Sequence, residues 1–206
     1  MAEDDLEYAG GRFTIVGTDK SMSVTDAALS AWTAHNLPDG LEPGLEDTYV
    51  YDPPNFSWPG GCHIAVVEID TETGVVDLIR YLAVDDVGTV INPMIVDGQV
   101  HGGIAQGVAQ ALFEAVRYSD DGQPQTTNFA DYLVISAPEL PSFEIVHMET
   151  PTFANPLGAK GVGESGTIGA IPAVYNAVID ALSHLGVRHL ETPLTPERIW
   201  SALRTS

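Results

Sequence analysis

Glu164 is the only carboxylate in a run of five glycines, Gly158-Ala159-Lys160-Gly161-Val162-Gly163-Glu164-Ser165-Gly166-Thr167-Ile168-Gly169. Glycine accepts positive φ and lets a ligand come close to bare amides. An apolar helix is predicted to begin near Ala170, and amides converging on a helix N-terminus favour an anion. The same field favours a charged carboxylate, the form a general base needs. A tight strand-to-helix turn with its glutamate in water has the same sequence, so the glycine pattern alone leaves both readings open.

A second candidate segment is Asp97-Gly98-Gln99-Val100-His101-Gly102-Gly103-Ile104-Ala105-Gln106-Gly107. It reads as the opening of a helix, with Asp97 as its cap. Val100, Ile104, Val108, Ala111 and Leu112 form one apolar stripe. Gly102, Gly103, Ala105, Gly107 and Ala109 leave the remaining surface nearly bare. Each glycine in a helix costs about 1 kcal/mol against alanine, so close approach of another backbone or of a flat ligand must offset it. Gln99 and Gln106 carry both donors and acceptors and suit a heteroatom-rich ligand.

The elements that must position these segments can be read from pattern. Residues 1–60 read as a peripheral segment, with a short strand around Phe13 and Ile15. A helix capped by Ser23-Val24-Thr25-Asp26 runs to about His35, and an irregular Pro- and Gly-rich link follows from Leu37 to Pro59. Residues 61–206 read as the core of what is otherwise a single unit. His63–Ile69 and Val75–Val84 form a β-hairpin around Asp70–Gly74, its apolar character implying cover on both faces. Asp85-Asp86 reads as part of a turn-rich link, and Phe143–Met148 alternates as a strand. The helix after the glycine loop places Ile171, Tyr175, Val178, Leu182 and Leu185 on one face and stops at Gly186. Thr195-Pro196-Glu197 starts a last short helix. The fold class implied is α+β.

Composition narrows the chemistry. The net charge is −21 over 206 residues, with two lysines, Lys20 and Lys160. Such a surface repels nucleic acid and anionic lipid. It suits a salt-rich setting as well as an acidic cytosolic protein. A lysine inside the glycine loop of so acidic a chain points to an anionic ligand or a carboxylate partner. One cysteine, Cys62, excludes an internal disulfide. The six histidines make no i, i+4 pair, so no protein-built metal site is expected. No apolar run near 18 residues suggests membrane insertion, and the acidic start Met1-Ala2-Glu3-Asp4-Asp5 is unlike a leader. A cytoplasmic location is the default expectation.

Four segments in order resemble the molybdenum hydroxylases, the molybdopterin-binding large subunits of the xanthine dehydrogenase and aldehyde oxidase family. They are His63–Asp70 with Thr73-Gly74, Asp85-Asp86-Val87-Gly88 to Asn92-Pro93, Gly98–Gly103 to Gln106-Gly107, and Gly158–Ser165. The resemblance is nearest to the branch that includes the large subunit of aerobic carbon monoxide dehydrogenase. It implies the C-terminal part of the molybdenum cofactor-binding domain. Glu164 falls on the family's active-site glutamate, the general base beside molybdenum. Gln99, with Gly98, matches the glutamine near the metal's ligands, and Lys160, Gly161, Val162 and Gly163 match the loop against the cofactor. The implied cofactor is molybdenum–molybdopterin, in its plain or cytosine dinucleotide form, with FAD and iron–sulfur clusters on partner subunits. Implied partners are the remaining part of the large subunit, an iron–sulfur subunit, a flavin subunit and a small-molecule substrate: an aldehyde, an N-heterocycle or carbon monoxide. The family's upstream part has no counterpart here, so a split subunit or a piece of a longer chain is expected. The copper-binding cysteine of the carbon monoxide branch lies in that upstream part and is not Cys62. A fragment that keeps the fold as a structural module without cofactor is the alternative.

Overall fold

A computed structural model describes residues 5–205 of the chain, so the reading of Met1–Asp4 falls outside the described residues. The chain forms two compact units that divide between Asp52 and Pro53.

The first unit is a three-stranded antiparallel meander, β1 (Leu6–Ala9), β2 (Arg12–Ile15) and β3 (Ser21–Ser23), followed by helix α1 (Val24–Thr33). The strand around Phe13 and Ile15 is its centre, and the two flanking strands are too short to have announced themselves in the sequence. Ser23 caps α1 as its spacing predicts, its hydroxyl accepting from the Asp26 amide at 3.0 Å.

The second unit holds both glycine-rich segments. Strands β4 (Gly60–Ile69) and β5 (Val76–Asp86) pair antiparallel, and β6 (Phe143–Met148) adds parallel to β5. Helix α2 (Pro93–Leu112) lies between β5 and β6 in sequence, and α3 (Ser165–Leu182) packs on both α2 and β4. Helix α4 (Pro196–Thr205) closes the unit, with Gly74 of the β4–β5 turn in tight contact with the Pro196 carbonyl. The turn needs glycine twice over, for that contact and for a φ of +77°. The core is Tyr81, Val100, Ile104, Val108, Val174, Val178, Leu182, Leu194 and Ile199, all essentially inaccessible.

Several expectations are corrected. The strand continues through Asp85 and Asp86, which belong to β5 and not to a link. Helix α2 starts at Pro93, capped by Asn92, whose side chain accepts from the Ile95 amide at 3.3 Å. Asn-Pro is itself an N-cap and N1 signal, and Asp97 instead accepts from His147 Nε2 at 2.7 Å, tying α2 to β6. The hairpin is covered on one face only: Ala65, Val67, Tyr81 and Ala83 pack inward, while Ile64, Val66 and Ile79 stay exposed. Helix α3 begins at Ser165, not near Ala170, and buries Ala170, Val174, Val178 and Leu182, one residue round from the predicted face. Gly186, with φ of +93°, ends the 3-10 turn that follows. Ser165–Leu185 is long and apolar enough by composition to cross a membrane, a property diluted in the sequence by its glycines and Pro172. Its apolar side is used on α2 and the sheet.

Candidate active site

The helix start governs the site. Because α3 begins at Ser165, Glu164 is its N-cap residue, and its carboxylate makes no hydrogen bond back to the helix it caps. Glu164 is exposed, as are Gly161 and Gly163, and Val162 is half-buried. Two glycine contacts fix the helix beneath it. A Cβ on Gly166 would stand 2.6 Å from the Val100 carbonyl and 3.0 Å from the Ile104 amide nitrogen. A Cβ on Gly103 would stand 2.9 Å from the Thr167 nitrogen, and one on Gly107 2.6 Å from the Ala170 methyl. The bare face of α2 is therefore divided. Gly103 and Gly107 serve the crossing of two backbones, whereas Gly98 and Gly102 have nothing within 4 Å of a would-be Cβ. Thr167 locks the crossing by donating from Oγ1 to the Gly103 carbonyl at 3.0 Å and to Gln106 Oε1 at 3.4 Å.

That crossing brings the two candidate segments together. The Gln99 side-chain oxygen stands 3.7 Å from where a Cβ on Gly163 would be, the one contact within 4 Å among the described residues beyond Gly163 and its chain neighbours. Gln99 of α2 thus flanks the residue immediately before Glu164. Gly161 faces open space and Gly98 precedes Gln99 on the same exposed helix start.

The beginning of the loop is tied to the end of β5. Lys160 donates from its amide to the Val87 carbonyl at 2.8 Å, Thr89 donates to the Gly158 carbonyl at 3.1 Å, and Gly88 bridges Ala159. Asn155 clasps Ala159, donating to its carbonyl at 2.8 Å and accepting from its amide at 3.2 Å. Lys160 Nζ lies 3.2 Å from Asp86 Oδ1, so the cation has found a carboxylate partner within the chain. Asp86 also accepts from the Thr150 amide at 3.0 Å and the Gly88 amide at 2.9 Å. Hydrogen bonds from Thr150, then from Gly88 and Lys160, hold its carboxyl well below the usual carboxylate range. A group depressed in the folded state stabilises above its unfolded pKa, about 3.9, and loses that contribution as pH falls toward the folded value. The destabilisation caused by Asp86→Asn is accordingly expected to be constant from about pH 8 to pH 5 and to shrink below about pH 4. Denaturant titrations of both proteins across that range check it.

One polar group went unseen in the sequence. His63, on the inward face of β4, has its Nδ1 2.8 Å from Tyr81 Oη. Its Nε2 lies 3.2 and 3.3 Å from the two oxygens of Asp85. Burial, and secondarily the Asp85 charge, pushes the Tyr81 phenol far above its ordinary pKa. These side chains lie beside a cleft of about 210 Å³ lined by Trp58, Gly61, His63, Asp85, Ser165 and Gly169. Their alternation on the inward side of β4 and β5 is the signal that could have revealed them.

Comparison with known proteins decides the family. A model described as the molybdopterin cofactor-binding domain matches residues 1–141. The chain belongs to that family. It is 43% identical over 98% of its length to the carbon monoxide dehydrogenase large chain of Hydrogenophaga pseudoflava. It is 40% identical over 98% of its length to the nicotine 6-hydroxylase large subunit of Paenarthrobacter nicotinovorans. The quinoline 2-oxidoreductase of Pseudomonas putida 86 superimposes with a TM-score of 0.88 over 98% of this chain and 26% of that one, at 43% identity. The chain spans 25% of the length of either curated relative. The family model ends before Gly158, but both relatives are similar over nearly all of this chain, and the α+β fold is that of the solved oxidoreductase.

Proposed function

We propose that this chain is the C-terminal part of the large subunit of a molybdopterin-dependent hydroxylase or dehydrogenase, with Glu164 as its general base. The observation that carries the reading is the meeting of Gln99 with the Gly161–Glu164 loop on one exposed surface. The residues present fit the cofactor, because Gly98, Gly102 and Gly161 leave open ground where a side chain would stand, with a two-way hydrogen-bonding amide beside it. When bound, the molybdenum–pterin group supplies two-electron redox chemistry for oxidising a small molecule with oxygen from water.

Everything else falls to the chain. Gly98 and the backbone of Gly161, Val162 and Gly163 form the cradle, and Gln99 orients the group through its amide. Lys160 contributes by pinning the loop to Asp86 and presents its backbone to the same cradle. Glu164 holds its carboxylate at the positive end of α3 and takes up a proton there during turnover. The substrate class is an aldehyde, an N-heterocycle or carbon monoxide. The remaining part of the large subunit completes the site and covers the open sheet face of Ile64, Val66, Val146 and Met148. An iron–sulfur subunit and an FAD subunit carry electrons away, and the pterin is present plain or as its cytosine dinucleotide.

Gln99→Ala tests the cradle. Molybdenum affinity of the assembled large subunit is expected to fall about 10- to 100-fold, read as metal and pterin retained per chain after dialysis. Unchanged retention contradicts the role given to Gln99, and an assembly that never contains molybdenum contradicts the function.

A further inference from the structure

We propose that His63 is a positioning residue for Glu164, its imidazole forming the stop against which the first turns of α3 seat. The inference rests on the reading of Glu164 as the base. Glu164 caps α3, and Gly169 lies on the next turn but one of that helix. The three atoms nearest to a would-be Cβ on Gly169 all belong to the His63 ring, with Cε1 at 2.5 Å and Cγ at 2.6 Å. Three residues earlier, on the neighbouring face, the same helix start meets the α2 backbone at Gly166. The α3 N-terminus is thus seated in the angle between a helix backbone and one aromatic ring.

The ring is held from both ends. Its side chain and that of Asp85 are each 3% exposed. Tyr81 is wholly buried, and burial keeps its phenol protonated, so Oη donates to Nδ1. Nε2–H is then left to donate to Asp85. This order of donors fixes the tautomer and, with two partners in line, the plane of the imidazole. Asp85 reaches the ring over the bare backbone of Gly61, where a Cβ would collide with its Oδ1. A displaced ring would shift or tilt α3, and Glu164 would move relative to Gln99.

The test uses the assembled holoenzyme and three variants, His63→Phe, His63→Gln and Gly169→Ala. Gly169→Ala presses on the ring from the helix side and leaves the Asp85 contact chemically intact, so it remains informative if His63→Phe does not fold. Hydrogen exchange read by mass spectrometry needs no substrate. Exchange of amides 163–169 is expected to quicken about tenfold in His63→Phe and Gly169→Ala, with α4 unchanged and molybdenum per chain retained. His63→Gln, which still donates to Asp85, is expected to stay closer to wild type. With carbon monoxide, quinoline or benzaldehyde as probe, kcat is expected to fall up to about a hundredfold with little change in KM. Exchange at 163–169 that does not change overturns the proposal. Acceleration throughout the core, or loss of molybdenum, also overturns it, by making His63 a general stability residue. Glu164→Gln run in parallel separates the two readings: if it is fully active the base reading fails, whatever the exchange data give.

Discussion

Glu164→Gln is expected to lower turnover of the assembled enzyme by about two to four orders of magnitude while molybdenum and pterin stay bound. The substitution keeps size and shape and removes only the basic oxygen. Its structural cost is small, since the carboxylate makes no hydrogen bond to its own helix and is exposed. The helix-end attraction it gives up is about 0.3–1 kcal/mol, too little to unfold the chain. A large loss of rate without loss of cofactor therefore isolates the chemistry. Steady-state kinetics on metal-matched samples measure it, and a variant within a few-fold of wild type removes Glu164 from the reaction.

The second large effect belongs to the helix crossing. Gly166→Ala puts a methyl 2.6 Å from the Val100 carbonyl and 3.1 Å from the Gly103 Cα, against backbone that cannot rotate away. Overpacking of this kind costs about 1–3 kcal/mol, and its relief must separate α2 from α3 just two residues beyond Glu164. Stability and activity are expected to fall together. Gly98→Ala is the matched contrast: nothing lies within 4 Å of the added methyl, and a better helix former gains up to about 1 kcal/mol. That variant is expected to raise the chain's own stability and to weaken retention of the cofactor. Thermal unfolding with metal analysis of both variants distinguishes them. Equal behaviour of the two glycines contradicts the division of α2 into a packing face and an open face.

Local signals in the sequence account for much of this arrangement. The Ser23 cap, the stripe from Val100 to Leu112, the Asp70–Gly74 turn and the stop at Gly186 each follow from residues near in sequence. What was missed depends on partners far along the chain. The start of α3 lies five residues before the expected one because Gly166 and Gly169 read as loop, whereas their lack of a side chain is what lets the helix start press on α2 and His63. The parallel pairing of β6 with β5 has no local mark. Asn92-Pro93 is the local signal for the start of α2, while Asp97, the more familiar acidic cap, is engaged by His147 of β6 instead. Lys160 shows the limit of composition: a scarce cation in a glycine loop pointed equally to a ligand or a carboxylate, and the carboxylate Asp86 holds it.

Gln99 and Glu164 are expected to face one metal–pterin group. Anomalous diffraction at the molybdenum absorption edge from crystals of the assembled enzyme tests it most directly. The expected result is a single molybdenum peak per large subunit, set between the Gln99 amide and the Glu164 carboxylate with the Gly161–Gly163 backbone alongside. A peak remote from both side chains, or none in fully active enzyme, contradicts it.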